Sequence, residues 1–455
     1  MVYCFTSDVS GKTEYFLYDV ESGSLHNVDK SAYLVAKQKY SSLTDEEFLS
    51  YGLLTKAETE EIDSELSELE RQDVLNCPAA VYNLNCTGEI KALCLHICHD
   101  CNLRCPYCFA KDGTYNTPKD YMTFEVGAAA IDFLIEKSKN RQNLEVDFFG
   151  GEPLMNMGVV KRIVEYANEK VKEAGKSIHF TMTTNGVLLG EENRRWLNDN
   201  MFNVVISIDG RPEVHDKLRV TPNHKGCQAL VLENAKEFRK IRGDKSYYIR
   251  GTFTANNLDF SKDVLYLNDE GFDQISVEPV VLPQSDPLAI KEEDMDKVLA
   301  EYDVLAKEYI KRRKTDKWFN FFHFMIDLKH GPCVYKRLRG CGAGNEYVAV
   351  TPTGDIYPCH QFAGQTEYKM GSVLDRTFDT EAQKRFAECT VYTKKGCSDC
   401  VAKYYCSGGC NANAVHFSGD INTPYKEACA MMRKRFLTSV SYTHLRAHET
   451  RHDIV

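Results

Sequence analysis

Between residues 90 and 281 the apolar positions fall into short runs separated by amphipathic stretches, a spacing that predicts alternating strands and helices. The runs IKALCLHIC (90–98), LEVDFFG (144–150), IHFTMTTNG (178–186), NVVISIDG (203–210), SYYIRGTFTA (246–255) and QISVEPVV (274–281) suit buried parallel strands. Helical patterns such as GVVKRIVEYANEKVKEAG (158–175) lie between them. Six βα repeats in under 200 residues predict an α/β fold with a partial (β/α)6 TIM barrel, not a closed eightfold one. The chemically suggestive tripeptides all fall at C-terminal strand ends, where such folds place their chemistry.

The flanks have different patterns. EYFLYDVESGSLHNVD (14–29) alternates around a Glu-Ser-Gly-Ser turn and predicts a hairpin. Two helical stretches follow, SAYLVAKQKY (31–40) and EIDSELSELERQDVL (61–75), so residues 1–85 form a small winged-helix-like module, with NCPAAVYNLNCTG (76–88) as a linker. On the other side, EEDMDKVLAEYDVLAKEYIKRRK (292–314) is a long charged helix that reads as a solvated bridge closing the 90–316 domain. Residues 317–438 have short elements and little periodicity, and nine of the eighteen cysteines fall within 330–430. Metal clusters are the economical source of order for such a region.

Composition narrows the function. With 455 residues, 43% hydrophobic and 27% charged, the chain is a multi-domain globular protein. A formal charge of −10 argues against nucleic-acid binding, which needs a basic footprint. No apolar run of about 18 residues predicts a membrane span, and the N-terminus lacks the features of a secretory signal, so the expected location is the cytoplasm. In a reducing compartment eighteen cysteines point to metal before disulfides.

The sharpest signal is CNLRCPYCF (101–109), which places Cys101, Cys105 and Cys108 in one loop after the first strand. Zinc with a distant fourth ligand is one reading. An iron–sulfur cube accounts better for the missing thiolate, since three cysteines hold three irons and the fourth iron keeps a vacancy. Glycines at GGEP (150–153) allow backbone to approach a ligand closely, and TTNG (183–186), SIDG (207–210) and HDKLR (215–219) follow later strands. Singly, such motifs are more often turns or hydrogen-bonded strand ends. Their force lies in a shared edge and a common order behind the cysteines.

This combination is similar to the CxxxCxxC signature of the radical S-adenosylmethionine (SAM) superfamily. The resemblance implies that the open iron of a [4Fe–4S] cluster chelates SAM, whose reductive cleavage gives a 5′-deoxyadenosyl radical that abstracts hydrogen from an unreactive carbon. It further implies SAM contacts from Gly150, Gly151, Glu152, Thr183, Asn185, Ser207, Asp209 and Arg219, with Tyr107 on the adenine side.

The C-terminal cysteines extend the resemblance. CGAGNEYVAVTPTGDIYPC (341–359), CSDCVAKYYCSGGC (397–410) and Cys429 resemble the SPASM domain of radical SAM peptide-modifying enzymes, which carries two auxiliary [4Fe–4S] clusters, three clusters in all. By that likeness Cys397, Cys400, Cys406 and Cys429 hold one cluster, and Cys341, Cys359 and Cys410 the other. Cys333 either completes the second or leaves an iron open for a substrate thiolate. Cys4, Cys77, Cys86, Cys94, Cys98, Cys227 and Cys389 fit no pattern and read as buried or incidental thiols.

A hairpin with helices ahead of the barrel resembles the RiPP recognition element, which binds a leader peptide by strand addition. A structural cap is the plainer reading of the same module. In motif detail the chain most resembles the maturases of SCIFF, the six-cysteine peptide of clostridia. That likeness implies thioether links from Cys sulfur to a peptide carbon, commonly on Thr, in a ribosomally made Cys-rich precursor. It also implies a reductant such as flavodoxin or ferredoxin and an anaerobic bacterial cytoplasm. Thioether closure removes two hydrogens and two electrons, and an auxiliary cluster offers the exit for the electron that hydrogen abstraction does not take. Sulfatase maturases carry an acidic residue beside the Gly-x4-Cys cysteine, where His360 stands here. Sulfatase maturation and a non-catalytic iron–sulfur sensor remain the alternatives. The segment 439–455, with His444, His448 and His452 at four-residue intervals, reads as a foreign or misassembled extension and not a metal site.

Overall fold

The computed structural model describes residues 1–8, 11–41, 43–79, 82, 88–328 and 334–452, with side chains at 334–336 and 444–452 left aside. Cys86 and Cys333 lie outside the described residues, as do the side chains of His444, His448 and His452. No helix among the described residues is long and apolar enough to cross a membrane.

The chain opens with an antiparallel sheet of β1 (Val2–Ser7), β2 (Glu14–Asp19) and β3 (Leu25–Val28), ordered β1-β2-β3. The β2–β3 turn is built by Asp19, whose Oδ1 accepts from the amides of Glu21 and Ser22 at 2.9 and 2.7 Å. Strand β1 adds a third strand to the expected hairpin. Helices α1 (Lys30–Tyr40), α2 (Asp45–Ser50) and α3 (Lys56–Arg71) follow. α3 starts ahead of the apolar pattern because Thr55 and Glu58 form a capping box. The two faces of β2 bury different neighbours. Leu17 packs with Leu34 and Leu66 of the helices, whereas Phe16 and Tyr18 pack with Val401, Tyr404 and Phe436 of the C-terminal region.

Six parallel strands come next: β4 (Ala92–Cys98), β5 (Asn143–Gly150), β6 (Ser177–Thr184), β7 (Asn203–Ser207), β8 (Tyr247–Phe253) and β9 (Gln274–Pro279). Each pairs with the next in chain order. Helices α4 (Phe124–Lys137), α5 (Met157–Glu173), α6 (Glu191–Asn200), α7 (Pro212–Leu218), α8 (Gln228–Arg242) and α9 (Phe260–Asp269) connect them. The pleat sorts the side chains. Leu93, Leu95, Ile97, Val146 and Phe148 enter the core beneath the helices, and Cys94, His96, Asp147, Arg250 and Glu278 alternate with core positions along their strands. α10 (Met295–Arg313) is more than the solvated bridge its charge suggests. It buries Val298, Tyr302, Leu305, Ala306 and Tyr309, because its apolar stripe has helices on both sides.

The sheet continues past the six strands in both directions. β10 (Asn320–Phe321) runs parallel to β9. After α11 (Val334–Arg339), β11 (Tyr347–Val350) runs parallel to β4. β12 (Asp355–Tyr357), β13 (Gly371–Ser372) and β14 (Thr377–Phe378) extend that edge antiparallel. The strand order is linear from β10 to β14 and does not close on itself. The Cys-rich region is thus grafted onto the main sheet. Its remaining elements are α12 (Thr380–Ala387), α13 (Lys403–Cys406), α14 (Asn411–Ser418) and α15 (Lys426–His452). α15 packs along α10, and Val440 and Tyr442 are buried there, the Tyr442 ring 4.9 Å from that of Tyr309. The packed part of this helix therefore runs past residue 439, the expected start of the extension.

Candidate iron–sulfur and cofactor site

The loop after β4 is fixed mainly by bonds from its other polar groups, and the Cys101 sulfur accepts only the Leu103 amide at 3.4 Å and the Asn185 side chain at 3.7 Å among the described residues. The Asp100 carboxylate accepts from the Cys101 amide at 2.9 Å and from the Tyr121 hydroxyl at 3.1 Å, and pairs with Lys119 at 2.7 Å. The Arg104 guanidinium donates to the carbonyls of Cys101 and Leu103 at 2.6 and 2.7 Å. The Arg104 amide bonds the Val220 carbonyl at 2.7 Å, tying the loop to the segment after α7. Burial raises the pKa of all three thiols, that of Cys105 to about 12, and Cys101 feels both Cys105 and Cys108. Bound metal displaces such protons.

Among the described residues no group of three or more His, Cys, Asp or Glu side chains is gathered tightly enough for a single ion. A zinc atom draws its sulfurs to about 2.3 Å, whereas a polynuclear cluster spreads them. Three half-buried thiols on one braced loop, each within electrostatic reach of another, supply donors that either ligand could use.

Gly150 and Gly151 form the turn after β5. Gly150 has φ +123°, and a Cβ on Gly151 would lie 1.8 Å from the Asp100 carbonyl oxygen, so the close approach of the two loops requires glycine. Glu152 is buried and accepts three bonds, from the Leu154 amide (3.0 Å), the Thr184 hydroxyl (2.7 Å) and the Asn185 amide (2.7 Å). Its pKa is pushed up to about 7 by burial, against those bonds and the attraction of Arg219. The Asn185 side chain donates to Asn102 Oδ1 at 2.7 Å and lies 3.7 Å from the Cys101 sulfur.

Asp209 is wholly buried. Its Oδ1 accepts from the Thr252 amide at 2.8 Å, and its Oδ2 accepts from the Tyr107 hydroxyl at 2.8 Å. Arg219 pairs with the same Oδ2 at 3.0 Å and lies over the Tyr107 ring, 5.6 Å from its centre. Burial opposes the Arg219 charge, but Asp209 outweighs it and raises the guanidinium pKa. Thr183 and Ser207 sit at their strand ends without side-chain hydrogen bonds among the described residues. The threonine that reaches Glu152 is Thr184.

The C-terminal thiols expected as ligands influence one another within two sets. Cys359 is buried, with its pKa raised by desolvation and then by Cys410 and Cys341. Cys406 is pushed up to about 12 by burial and by Cys429, Cys400 and Cys397. The same electrostatic reach links Cys397 to Cys429 and Cys400. His360 follows Cys359, its ring 5.0 Å from that of Phe149 and 5.4 Å from that of Phe109, and burial and then Arg250 lower its pKa to about 4.

Sequence patterns offered no signal for a second polar group. Glu278 on β9 is bonded by His323 Nε2 at 3.1 Å and approached by Arg435 of α15 at 3.8 Å, while Arg435 donates to Tyr302 at 2.8 Å. Burial opposes the Glu278 charge, yet His323, Arg435 and Arg250 hold its pKa well below the carboxylate range. A buried pair, His96 Nδ1 and His99 Nε2, meets at 3.1 Å behind the cysteine loop. A cavity of about 710 Å³ lies apart from all of these, lined by Lys137, Phe378, Gln383 and Tyr392, and holds no thiol.

Comparison with known families matches two segments of the chain. Residues 86–232 match a 4Fe-4S single cluster domain, and residues 341–401 match SPASM, an iron–sulfur cluster-binding domain. The chain is similar to a cysteine-type anaerobic sulfatase-maturating enzyme of Clostridium novyi, 24% identical over 331 residues that cover 69% of this chain and 86% of that one. Its fold is similar to that of anSMEcpe with bound AdoMet (TM-score 0.64, 19% identity, covering 80% of this chain and 96% of that one). It is also similar to that of Streptococcus suis SuiB bound to precursor peptide SuiA (TM-score 0.53, 17% identity, 91% and 96%).

Proposed function

We propose that this chain, a protein of the radical SAM/SPASM family, is a peptide maturase that installs thioether crosslinks from Cys sulfur to a peptide carbon, commonly on Thr, in a ribosomally made Cys-rich precursor. The observation that carries this reading is the N-terminal module. β3 offers an outer edge to which no strand among the described residues is paired, a surface suited to strand addition by a leader peptide. The SuiB likeness, which covers 91% of the chain and comes from a complex with a precursor peptide, supports the same reading.

In this reading Cys101, Cys105 and Cys108 hold a [4Fe–4S] cluster whose fourth iron binds SAM. The auxiliary clusters belong to Cys397, Cys400, Cys406 and Cys429 and to Cys341, Cys359 and Cys410, giving three in all. When bound, the first cluster and SAM supply a one-electron route to hydrogen abstraction from an unreactive carbon. The protein's part is placement. Gly150 and Gly151 would let backbone approach the ligand, and Glu152, held by Thr184 and Asn185, would bind on the amino-group side of SAM. Thr183, Asn185, Ser207 and the Tyr107–Asp209–Arg219 group line the nucleoside and carboxylate sides, the last held rigid by its shared carboxylate oxygen. His360, half-buried beside the Phe109 and Phe149 rings, would lie on the substrate side of the auxiliary cluster.

The test is anaerobic incubation of reduced, iron-loaded enzyme with SAM and a Cys-rich precursor peptide. The expected products are 5′-deoxyadenosine and a peptide lighter by two hydrogens per crosslink, with both cysteine sulfur and carbon skeleton retained. Deoxyadenosine with an unmodified peptide would refute the thioether reading. A second reading, sulfatase maturation, draws on the relatives that share this length of chain. It requires turnover of a CxPxR or SxPxR peptide that persists when residues 1–79 are deleted.

A further inference from the structure

Two lysines are buried in the segment that carries the thiols of residues 397–429, Lys403 paired with a carboxylate and Lys394 with neutral groups. Lys394 is 4% exposed and bonds only neutral acceptors, the Gly408 carbonyl at 2.9 Å and Asn411 Oδ1 at 2.6 Å. Lys403 faces a carboxylate from the other end of the chain. Its ammonium bonds Glu21 of the β2–β3 turn and the Ser398 carbonyl (3.1 Å), and Glu21 also accepts from the Tyr404 hydroxyl at 2.7 Å. The side chains of Glu21 and Lys403 are 4% and 6% exposed, so water does not share the pair.

The position of this pair is what gives it a role. Lys403 lies between Cys400 and Cys406 on a tightly coiled segment, its amide bonded to the Cys400 carbonyl at 3.1 Å and the Cys406 amide to the Ala402 carbonyl at 2.8 Å. Phe5, Phe16, Tyr18 and Val20 of the N-terminal sheet close over Val401, Ala402, Tyr404 and Phe436. In that apolar surrounding a charge acts over a longer range than in water. Glu21 is itself fixed, its amide bonded to Asp19 Oδ1.

We propose that the N-terminal module sets the reduction potential of the centre held by Cys397, Cys400, Cys406 and Cys429, by cancelling the charge of Lys403 with Glu21. The module is then part of that centre's environment as well as a leader-binding arm. The inference rests on the assignment of a cluster to these four thiolates. Reduction adds one electron from the external reductant to the centre. An uncompensated buried cation beside it favours that added charge and raises the potential, and the Glu21 carboxylate removes the effect.

The experiment is an EPR-monitored redox titration of anaerobically iron-loaded full-length protein. A wild-type signal that disappears in Cys400→Ala identifies the centre; without such a signal the cluster assignment fails before any Glu21 variant is made, and this proposal with it. Glu21→Gln is expected to raise the potential, and Glu21→Gln combined with Lys403→Met to return it to the wild-type value. An unchanged potential in Glu21→Gln overturns the proposal even if its melting temperature falls. So does a rise that persists undiminished in the double variant. Should Glu21→Gln fail to hold iron, Lys403→Met carries the test. Its potential is expected below wild type, because the Glu21 carboxylate is then uncompensated, and an unchanged or raised value overturns the proposal.

Discussion

The thiols of residues 101–108 and those of residues 397–429 are set for the same kind of ligand in opposite structural surroundings. The first trio hangs from the C-terminal end of β4, inside a parallel sheet, on a loop braced by its other polar groups. Asp100 and Arg104 bond backbone and neighbours, and Gly151 seats against Asp100. The second group sits among elements as short as the four residues of α13, with few apolar anchors besides the N-terminal sheet and α15. A socket at a strand end is made by the fold; a socket among loops is part of what makes the fold.

The largest effect expected from this contrast is a division between activity and stability. Cys101→Ala abolishes SAM cleavage and leaves the melting temperature near that of the parent. On the proposed assignment, Cys400→Ala removes a cluster ligand from a region with short elements, where bound metal is expected to supply much of the order. Structural metal sites contribute on the order of 10 kcal/mol, so the melting curve of the iron-loaded protein moves far down. Paired melting curves and iron counts check this. Equal losses of melting temperature would mean that both sockets are equally dependent on their metal.

A second difference lies in proton linkage. Glu152, just after β5, is a buried carboxylate whose pKa rises from the ordinary 4.5 to about 7. Between those values the folded protein binds more protons than the unfolded chain, so stability falls as pH rises through the window. The 2.5-unit difference corresponds to about 3 kcal/mol at its full extent. Histidines such as His215 and His360, both lowered to about 4 by burial, contribute the opposite slope between there and their ordinary value. The difference between parent and Glu152→Gln cancels them. In cluster-free protein the variant is expected to lose the downward slope between pH 4.5 and 7. Parallel stability profiles would show that Glu152 is already ionised across this range.

The same contrast explains what the sequence makes legible. The six central strands are visible because their apolar runs are bounded by strand-end motifs, as LEVDFFG is by the glycines after it, and β5 lies at Asn143–Gly150. Strand β1 went unseen because its alternation is only partial, and α2 because it buries no residue and so has no apolar face to detect. β11 to β14 have two to four residues each, shorter than any periodicity can register. Within the site, cysteine spacing is a covalent pattern and reads directly. In TTNG the choice between Thr183 and Thr184 depends on the pleat, and it is Thr184 that reaches Glu152. Glu278, His323 and Arg435 meet only through tertiary packing, and no spacing announces them.

The smallest effect separates the two regions most sharply, because it compares two tyrosines with like duties. Tyr107 donates to Asp209, which keeps Arg219 at 3.0 Å and the Thr252 amide at 2.8 Å if the hydroxyl is removed. Tyr404 donates to Glu21, which keeps Lys403. Each Tyr→Phe change therefore deletes one bond to a carboxylate that retains its cation, worth about 1.5 kcal/mol, or roughly tenfold in an equilibrium. The ring and its packing remain. Tyr107→Phe is expected to weaken SAM binding by that factor, measured by calorimetry on iron-loaded protein, without moving the potential of the Cys400 centre. Tyr404→Phe is expected to leave SAM affinity untouched and to loosen Glu21 enough to raise that potential slightly. If Tyr107→Phe binds SAM as tightly as the parent, the hydroxyl only braces the apo loop, and the strand-end socket owes its shape to Asp100 and Arg104 alone.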